Sequence, residues 1–262
     1  MELTSVRGLI VRETPVGEYD KLLTVVTEEM GRITVSGKAI RSLKSKHMPA
    51  TQLFCYSNFT LRKSRGYYYI SDSALIESFY GLRLDLDRLA LASYLCDVAA
   101  EMAVEGVGDE DLLRLTLNAL YALANNKEIP IAQIKAAFEL RCAAIEGFLP
   151  NLSACDVCGC APNEAERLYL DVMNGRLLCK NCLRNVKHTE DLIDDGTAHI
   201  YLRLTRAIYE AMRYVTEAPS NRFLSFQLAA DELPQFGSVC EKYLLNHIEH
   251  GFYTLDFYKS IL

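Results

Sequence analysis

Hydrophobic and polar positions in the first 80 residues follow the short alternating pattern of β-strands. Five segments have this pattern: Val6–Arg12, Leu22–Thr27, Arg32–Ser36, Leu53–Arg62 and Tyr67–Ile76. Glycine-containing turns separate neighbouring segments, and a longer basic stretch, Gly37–Met48, lies between the third and the fourth. Five short strands with one long loop predict a small closed barrel of the oligonucleotide-binding (OB) type. The pattern alone is also compatible with an SH3-like barrel.

After about Ser78 the apolar spacing changes to that of α-helices. Ile134, Phe138, Cys142 and Ile145 would share one helical face, and a similar spacing runs from Ile200 to Val215. We therefore predict five helices, at Leu84–Val104, Asp111–Asn126, Pro130–Phe148, Ile200–Val215 and Gly237–His250.

Two Cys-x-x-Cys pairs interrupt the helical region. Cys155 and Cys158 form the first pair, and Cys179 and Cys182 form the second, with 20 residues between the pairs. A predicted hairpin with a type I′ turn at Asn174-Gly175 would bring the pairs together, and four thiolates are a closed tetrahedral shell for structural Zn²⁺. A redox dithiol is the alternative, and Cys160 could substitute for Cys158 as a ligand.

These patterns define an α+β fold class with three parts. We predict an OB-type barrel at residues 1–80 that binds DNA, and a helical domain at 81–151 and 189–262. A four-cysteine zinc ribbon is inserted at 152–188.

Charge is distributed unevenly along the chain. The net charge is −6, yet residues 1–80 contain 11 Lys and Arg against 8 Asp and Glu, and no acidic residue occurs between Glu29 and Asp72. A local field of one sign attracts polyanions, so we predict a DNA-binding surface on the barrel, with tyrosines as base-stacking platforms. Its residues are Arg32, Lys38, Arg41, Lys44, Lys46, Arg62, Lys63, Arg65, Tyr67 and Tyr69.

Signatures of other protein classes are missing from the sequence. There is no phosphate-binding loop, no nucleophile elbow and no dinucleotide fingerprint, so we expect a protein that is not an enzyme. No apolar run is long enough to cross a bilayer, and residues 1–13 do not have the pattern of a secretory signal. We expect no membrane partner and a cytoplasmic, nucleoid-associated location.

Three N-terminal motifs resemble the RecO family of bacterial recombination mediators: Glu18-Tyr-Asp-Lys-Leu-Leu-Thr24, Thr27-Glu-Glu-Met-Gly-Arg32 and Gly37-Lys-Ala-Ile-Arg41. The cysteine ribbon is similar to that of the zinc-bearing members. The resemblance implies a protein of the RecF pathway that binds single- and double-stranded DNA and anneals complementary strands. It also implies contacts with RecR and with single-stranded DNA-binding protein (SSB), and help in loading RecA onto SSB-coated strands.

The acidic tail of SSB would need an apolar pocket edged by cations. By composition, the best candidates are Arg203, Arg206 and Arg213, predicted on one helix. A different function stays open at this point: a zinc-ribbon adaptor that binds a protein partner and no DNA, which the acidic balance of residues 81–262 slightly favours.

Overall fold

The computed structural model describes residues 3–64, 66–192 and 199–262, except for the side chains of residues 187–192. Its N-terminal part is a closed five-stranded barrel with the strand order β1-β2-β3-β5-β4 and a parallel pairing between β3 and β5. The strands are β1 Leu3–Val16, β2 Asp20–Thr27, β3 Gly31–Gly37, β4 Tyr56–Ser64 and β5 Tyr67–Glu77. The predicted OB-type barrel is confirmed.

The barrel closes because alternate side chains of each strand point into one apolar core. Ile33 and Val35 of β3 meet Leu23 and Val25 of β2 there. The basic loop after β3 also contributes, since Ile40 is buried against these residues while its neighbours in the loop are exposed. The loop is therefore anchored to the barrel at Ile40.

Three helices complete this first compact unit, which consists of Met1–Glu128 and Phe252–Leu262. They are α1 Leu86–Met102, α2 Glu110–Asn125 and α7 Tyr253–Ile261. Asp85 and Asp109 begin α1 and α2 by accepting hydrogen bonds from first-turn amides.

Polar contacts fasten the helices to the barrel. Arg12 of β1 forms an ion pair with Asp97 of α1 at 2.7 Å, and the second carboxylate oxygen of Asp97 accepts a hydrogen bond from Thr254 of α7 at 2.9 Å. Gly31, the first residue of β3, has φ +58°, and a Cβ there would collide with the carbonyl oxygen of Val104. Only glycine permits this close approach of the turn to the segment after α1.

The second compact unit is Ile129–Gly251. It contains α3 Ile131–Ile145, β6 Leu168–Asp171, β7 Arg176–Cys179, α4 Lys180–Leu192, β8 Tyr201–Leu204, α5 Arg206–Glu217 and α6 Leu233–Ile248. The strands form one sheet in the order β7-β6-β8, and α3 packs on α5 and α6. The structure divides the chain into two compact units, whereas the sequence analysis divides it into three functional domains. The boundaries of those three domains stay a prediction.

Two local predictions are wrong, and two helices were not predicted. Tyr201–Leu204 is a strand paired with β6, so Arg203 precedes helix α5 instead of belonging to it. The β6–β7 connection has four residues, because Asp171 pairs with Arg176, and a two-residue type I′ turn is excluded. Helix α4, which follows Cys179, and helix α7 have no counterpart among the five predicted helices. Among the described residues, no helix combines the length and the apolar character needed to span a bilayer.

Candidate functional site

Five cysteines meet at one end of the three-stranded sheet. Cys155, Cys158 and Cys160 lie on the loop between α3 and β6, Cys179 ends β7, and Cys182 lies in the first turn of α4. Cys155, Cys179 and Cys182 are buried in one cluster, against which the half-buried Cys160 packs. The hairpin therefore brings the two Cys-x-x-Cys pairs together, although through a longer turn than the sequence indicates.

Backbone hydrogen bonds shape the loop that carries three of these thiols. The amide of Cys155 donates to the carbonyl of Cys160 at 3.0 Å, and the amide of Gly159, at φ +70°, donates to the carbonyl of Cys155 at 2.8 Å. The amide of Asp156 donates to the carbonyl of Leu177 at 2.9 Å, which ties the loop to β7. The loop is a closed knuckle that presents its sulfur atoms toward Cys179.

The sulfur positions fit a metal ion. The sulfur atoms of Cys155, Cys158, Cys160 and Cys179 all lie within 4.8 Å of one another, and those of Cys158 and Cys179 are 3.9 Å apart. Tetrahedral Zn²⁺ with bonds of about 2.3 Å to sulfur separates its ligands by about 3.8 Å. Cys182 is buried in the same cluster as Cys155 and Cys179, so it borders the same space. These cysteines could hold a metal ion, and a donor set made only of thiols favours a soft or borderline one.

The thiols of the cluster do not ionise independently. Burial acts to raise the pKa of Cys155, but hydrogen bonds from the amides of Cys158, Cys179 and Val157 outweigh it and lower this pKa to about 6. Burial and thiol neighbours raise the pKa of Cys160 to about 12, and they also raise the pKa of Cys182. Ionisation of one thiol in the cluster thus disfavours ionisation of the next, and a divalent cation would relieve the repulsion between the thiolates.

A second candidate surface lies on the outside of the barrel around Tyr69 of β5. The ammonium group of Lys38 and the guanidinium group of Arg62 each lie 5.9 Å from the centroid of the Tyr69 ring. This distance is typical of a cation–π contact. The three side chains come from β4, β5 and the start of the basic loop, and we call them the Tyr69 cluster.

The neighbouring tyrosines point to opposite sides of β5. Tyr68 packs against the barrel core, with Lys63 at 5.2 Å from its ring centroid, whereas Tyr67 is exposed. Tyr67 and Tyr69 thus share the outer face, as strand alternation requires.

The other predicted cations occupy varied surroundings. Arg41 donates to the carbonyl of Gly17, Lys44 is exposed, and Lys46 pairs with Asp72 at 3.0 Å. A hydrogen bond from Lys46, with its charge, lowers the pKa of Asp72. Arg65 lies outside the described residues.

The guanidinium group of Arg32 donates a hydrogen bond to the carbonyl of Ala100, 2.6 Å away near the end of α1. That carbonyl belongs to the last turn of the helix, where a cation is favourable. Arg32 therefore has a structural partner.

The three arginines proposed for a partner peptide lie in the second unit. Arg206 and Arg213 are on α5, where Glu210 lies 2.7 Å from Arg206 and 3.9 Å from Arg213. Arg213, Tyr214 and Phe226 help to line a groove of about 450 Å³. Arg203 is exposed on β8, and its carbonyl accepts a hydrogen bond from Gln235.

Two family models match this chain and together cover nearly all of it. Recombination protein O C terminal matches residues 83–256, and Recombination protein O N terminal matches residues 1–79. The chain belongs to the RecO family. This is a family of DNA repair and recombination proteins, so the resemblance stated from the sequence is confirmed.

Curated relatives agree with the family models. The DNA repair protein RecO of Acetivibrio thermocellus is 30% identical over 261 residues, which cover 100% of this chain and 98% of the relative. That of Alkaliphilus metalliredigens is 32% identical over 180 residues, covering 69% and 72%. That of Desulforamulus reducens is 26% identical over 267 residues, covering 100% and 98%.

Sequence reasoning missed two features of the site in this RecO-family chain. In the sequence Asp72 is only the end of the acid-free interval, and its partner Lys46 is 26 positions away. The spacing of Cys160 makes it an alternative metal ligand to Cys158, but only the fold shows that Cys160 lies beside Cys179. The signal available for Cys160 is that spacing, two residues after a Cys-x-x-Cys pair.

Proposed function

We propose that this protein is a DNA-binding recombination mediator of the RecF pathway, without enzymatic activity of its own. It would anneal complementary strands in the cytoplasm, close to the nucleoid, and would help to load RecA onto SSB-coated single strands together with RecR. The observation that carries the proposal is the Tyr69 cluster on an OB-type barrel. Such barrels bind oligonucleotides with a sheet face and the loops beside it, and two cations beside an aromatic ring suit phosphates and a base.

The charge contribution is tested by the double variant Lys38→Ala, Arg62→Ala. We expect weaker binding to all DNA sequences, and a slope of log K against log salt that is smaller by about 0.7 per lost phosphate contact on single strands. Arg7→Ala is the matched control, because Arg7 lies on the same barrel and is paired with Glu28 at 2.9 Å. Fluorescence anisotropy with labelled oligonucleotides at several salt concentrations gives both quantities.

The aromatic contribution is tested by Tyr69→Leu. Loss of one stacked base weakens binding by about 1–3 kcal/mol, roughly 5- to 150-fold, with little change of the salt slope. Annealing of complementary oligonucleotides without ATP should slow in both variants and not in Arg7→Ala. If binding and salt slope are unchanged in the double variant, the DNA site lies elsewhere, for example at Lys180 and Arg184. If the unmodified protein binds no DNA at low salt, the adaptor function without DNA binding replaces this proposal.

We also propose that the metal ion is structural Zn²⁺, with Cys155, Cys158, Cys179 and Cys182 as ligands. Metal and fold would then be coupled, so Cys155→Ser should lower both the bound zinc and the melting temperature. Cys96→Ser, a buried thiol in the other unit, is the control for the loss of a thiol. Less than about a tenth of an equivalent of zinc in protein prepared under reducing conditions would refute zinc binding.

The SSB tail is proposed to bind the groove beside α5 with micromolar affinity. Its acidic residues would compete with Glu210 and Glu217 for Arg213, and its apolar end would contact Tyr214 and Phe226. Arg213→Ala and Phe226→Ala should each weaken binding of a labelled tail peptide to the whole chain. Arg203→Ala tests whether the peptide contacts the neighbouring strand β8 instead of the groove. Binding that survives both groove variants and is lost with the Lys38, Arg62 pair would place the peptide on the barrel.

A further inference from the structure

The cluster contains one thiol more than a tetrahedral ion can bind. Five cysteines border one space, and Zn²⁺ takes four ligands. Of the five, Cys155, Cys158 and Cys179 provide three thiols that could be shared between alternative sets of four. The sulfur atom of Cys160 lies within 4.8 Å of the sulfur atoms of all three, and Cys182 is buried in one cluster with Cys155 and Cys179.

The two remaining thiols approach the shared three from different elements. Cys160 is held in the knuckle, where its own carbonyl accepts the hydrogen bond from the amide of Cys155. Cys182 is 7% exposed and lies one helical turn beyond Cys179, at the beginning of α4. Each thiol can therefore complete a tetrahedron on the shared three.

We propose that Cys160 and Cys182 are alternative fourth ligands of one zinc ion, while Cys155, Cys158 and Cys179 are its constant ligands. This inference rests on the proposed zinc site. In the exchange, the bond from zinc to the sulfur of Cys182 breaks and a bond to the sulfur of Cys160 forms. The proton of Cys160 passes to Cys182, so no electron is transferred and no oxidant is needed.

One consequence is tolerance to the loss of either alternative thiol. Modification of Cys182 would leave four thiolates at the metal, because Cys160 takes its place, and the reverse also holds. A second consequence is that zinc does not always fasten the beginning of α4. The constant ligands have no such replacement.

Four variants of the whole chain test the proposal: Cys160→Ser, Cys182→Ser, the double variant, and Cys155→Ser as a constant-ligand control. Each is titrated with Co²⁺, whose sulfur-to-metal charge-transfer absorption grows with the number of thiolates. We expect one metal with four thiolates in each of the first two single variants. The double variant and Cys155→Ser should show three thiolates and an affinity at least about tenfold lower. Far-ultraviolet circular dichroism checks that each variant is folded.

The unmodified protein supplies an independent measurement that does not depend on how variants fold. With zinc bound, brief alkylation followed by mass spectrometry should label Cys160 and Cys182 each in part, to a total of about one per molecule. Labelling of only one of them, or three thiolates in Cys182→Ser or Cys160→Ser alone, would overturn the exchange. Four thiolates in Cys155→Ser would overturn the constant set. Failure of the unmodified protein to bind Co²⁺ or Zn²⁺ would instead refute the zinc site itself.

Discussion

A buried triad of charges joins α3 and α6, and its central cation is a sharp test of the packing in the second unit. The ammonium group of Lys135 lies 2.7 Å from a carboxylate oxygen of Glu139 and 2.7 Å from one of Glu241. The side chains are 9%, 0% and 18% exposed, respectively. Replacing Lys135 by Met keeps most of the stem volume and removes the charge. Two carboxylates then face each other, one of them out of contact with water.

The expected cost follows from this burial. Removing one partner of a buried ion pair destabilises a protein by about 3–5 kcal/mol. Glu241 keeps some contact with water, so we expect Lys135→Met to cost about 3 kcal/mol. With a urea dependence of about 1–3 kcal/mol per molar, the unfolding midpoint falls by roughly 1–3 M. Arg206→Met, in an exposed pair with Glu210, should cost less than about 1 kcal/mol.

The assay is urea unfolding followed by circular dichroism, with a second variant that separates charge from shape. Replacing Lys135 by Met together with both glutamates by Leu removes every charge of the triad. Such replacements are often neutral or stabilising. A cost below about 1 kcal/mol for Lys135→Met, or a triple variant as unstable as the single one, would refute the reasoning.

The effect of pH has a definite sign. Burial acts to lower the pKa of Lys135, but Glu139 and Glu241 outweigh it and raise this pKa above the ordinary lysine value. The stabilisation is therefore complete below the unfolded pKa of about 10.4, and it is lost as the pH rises through the raised value. The cost of Lys135→Met should be constant from neutral pH to about pH 9 and should decrease in acid, where the carboxylates become protonated.

Two further predictions concern the barrel. Gly31→Ala should destabilise the protein by about 2 kcal/mol or more, because the new Cβ would collide with Val104. Gly17→Ala is the control: Gly17 has φ +60° and nothing within 4 Å of its Cβ position, so this variant has only the backbone strain and should cost about 1 kcal/mol. Equal midpoints in thermal unfolding would contradict the role of the close approach. Asp72→Asn should tighten DNA binding and steepen its salt dependence, because it releases Lys46 from its ion pair, and anisotropy titrations that show weaker binding would refute this.

The sequence was most informative where the hydrophobic positions of a segment repeat with one period along its whole length. Alternation predicted all five barrel strands, since one face of each strand must enter the same core. Helices α1, α2 and α3 were predicted to within a few residues of their ends, and Asp85 and Asp109 explain where two of them begin. Burial on one face thus leaves a pattern that can be detected in one sequence.

Short elements were missed because their secondary structure depends on contacts with residues that are far away in the sequence. Tyr201–Leu204 carries apolar residues at helical spacing with the following residues, yet pairing with β6 makes it a strand. The same limit applies to the site. The contacts of Lys46 with Asp72 and of Arg32 with Ala100 join residues 26 and 68 positions apart, which no local pattern records.

The position of α7 has a consequence for how the chain folds during synthesis. Phe252 packs edge-on against Tyr94 of α1, with ring centroids 5.6 Å apart, so the first unit is completed by residues made after the whole second unit. At about 5–20 residues per second, ribosomes need roughly 6–25 s to translate the intervening segment, Ile129–Gly251. During that time the barrel can form while the face of α1 around Tyr94 stays uncovered, a surface that a nascent-chain chaperone would meet first.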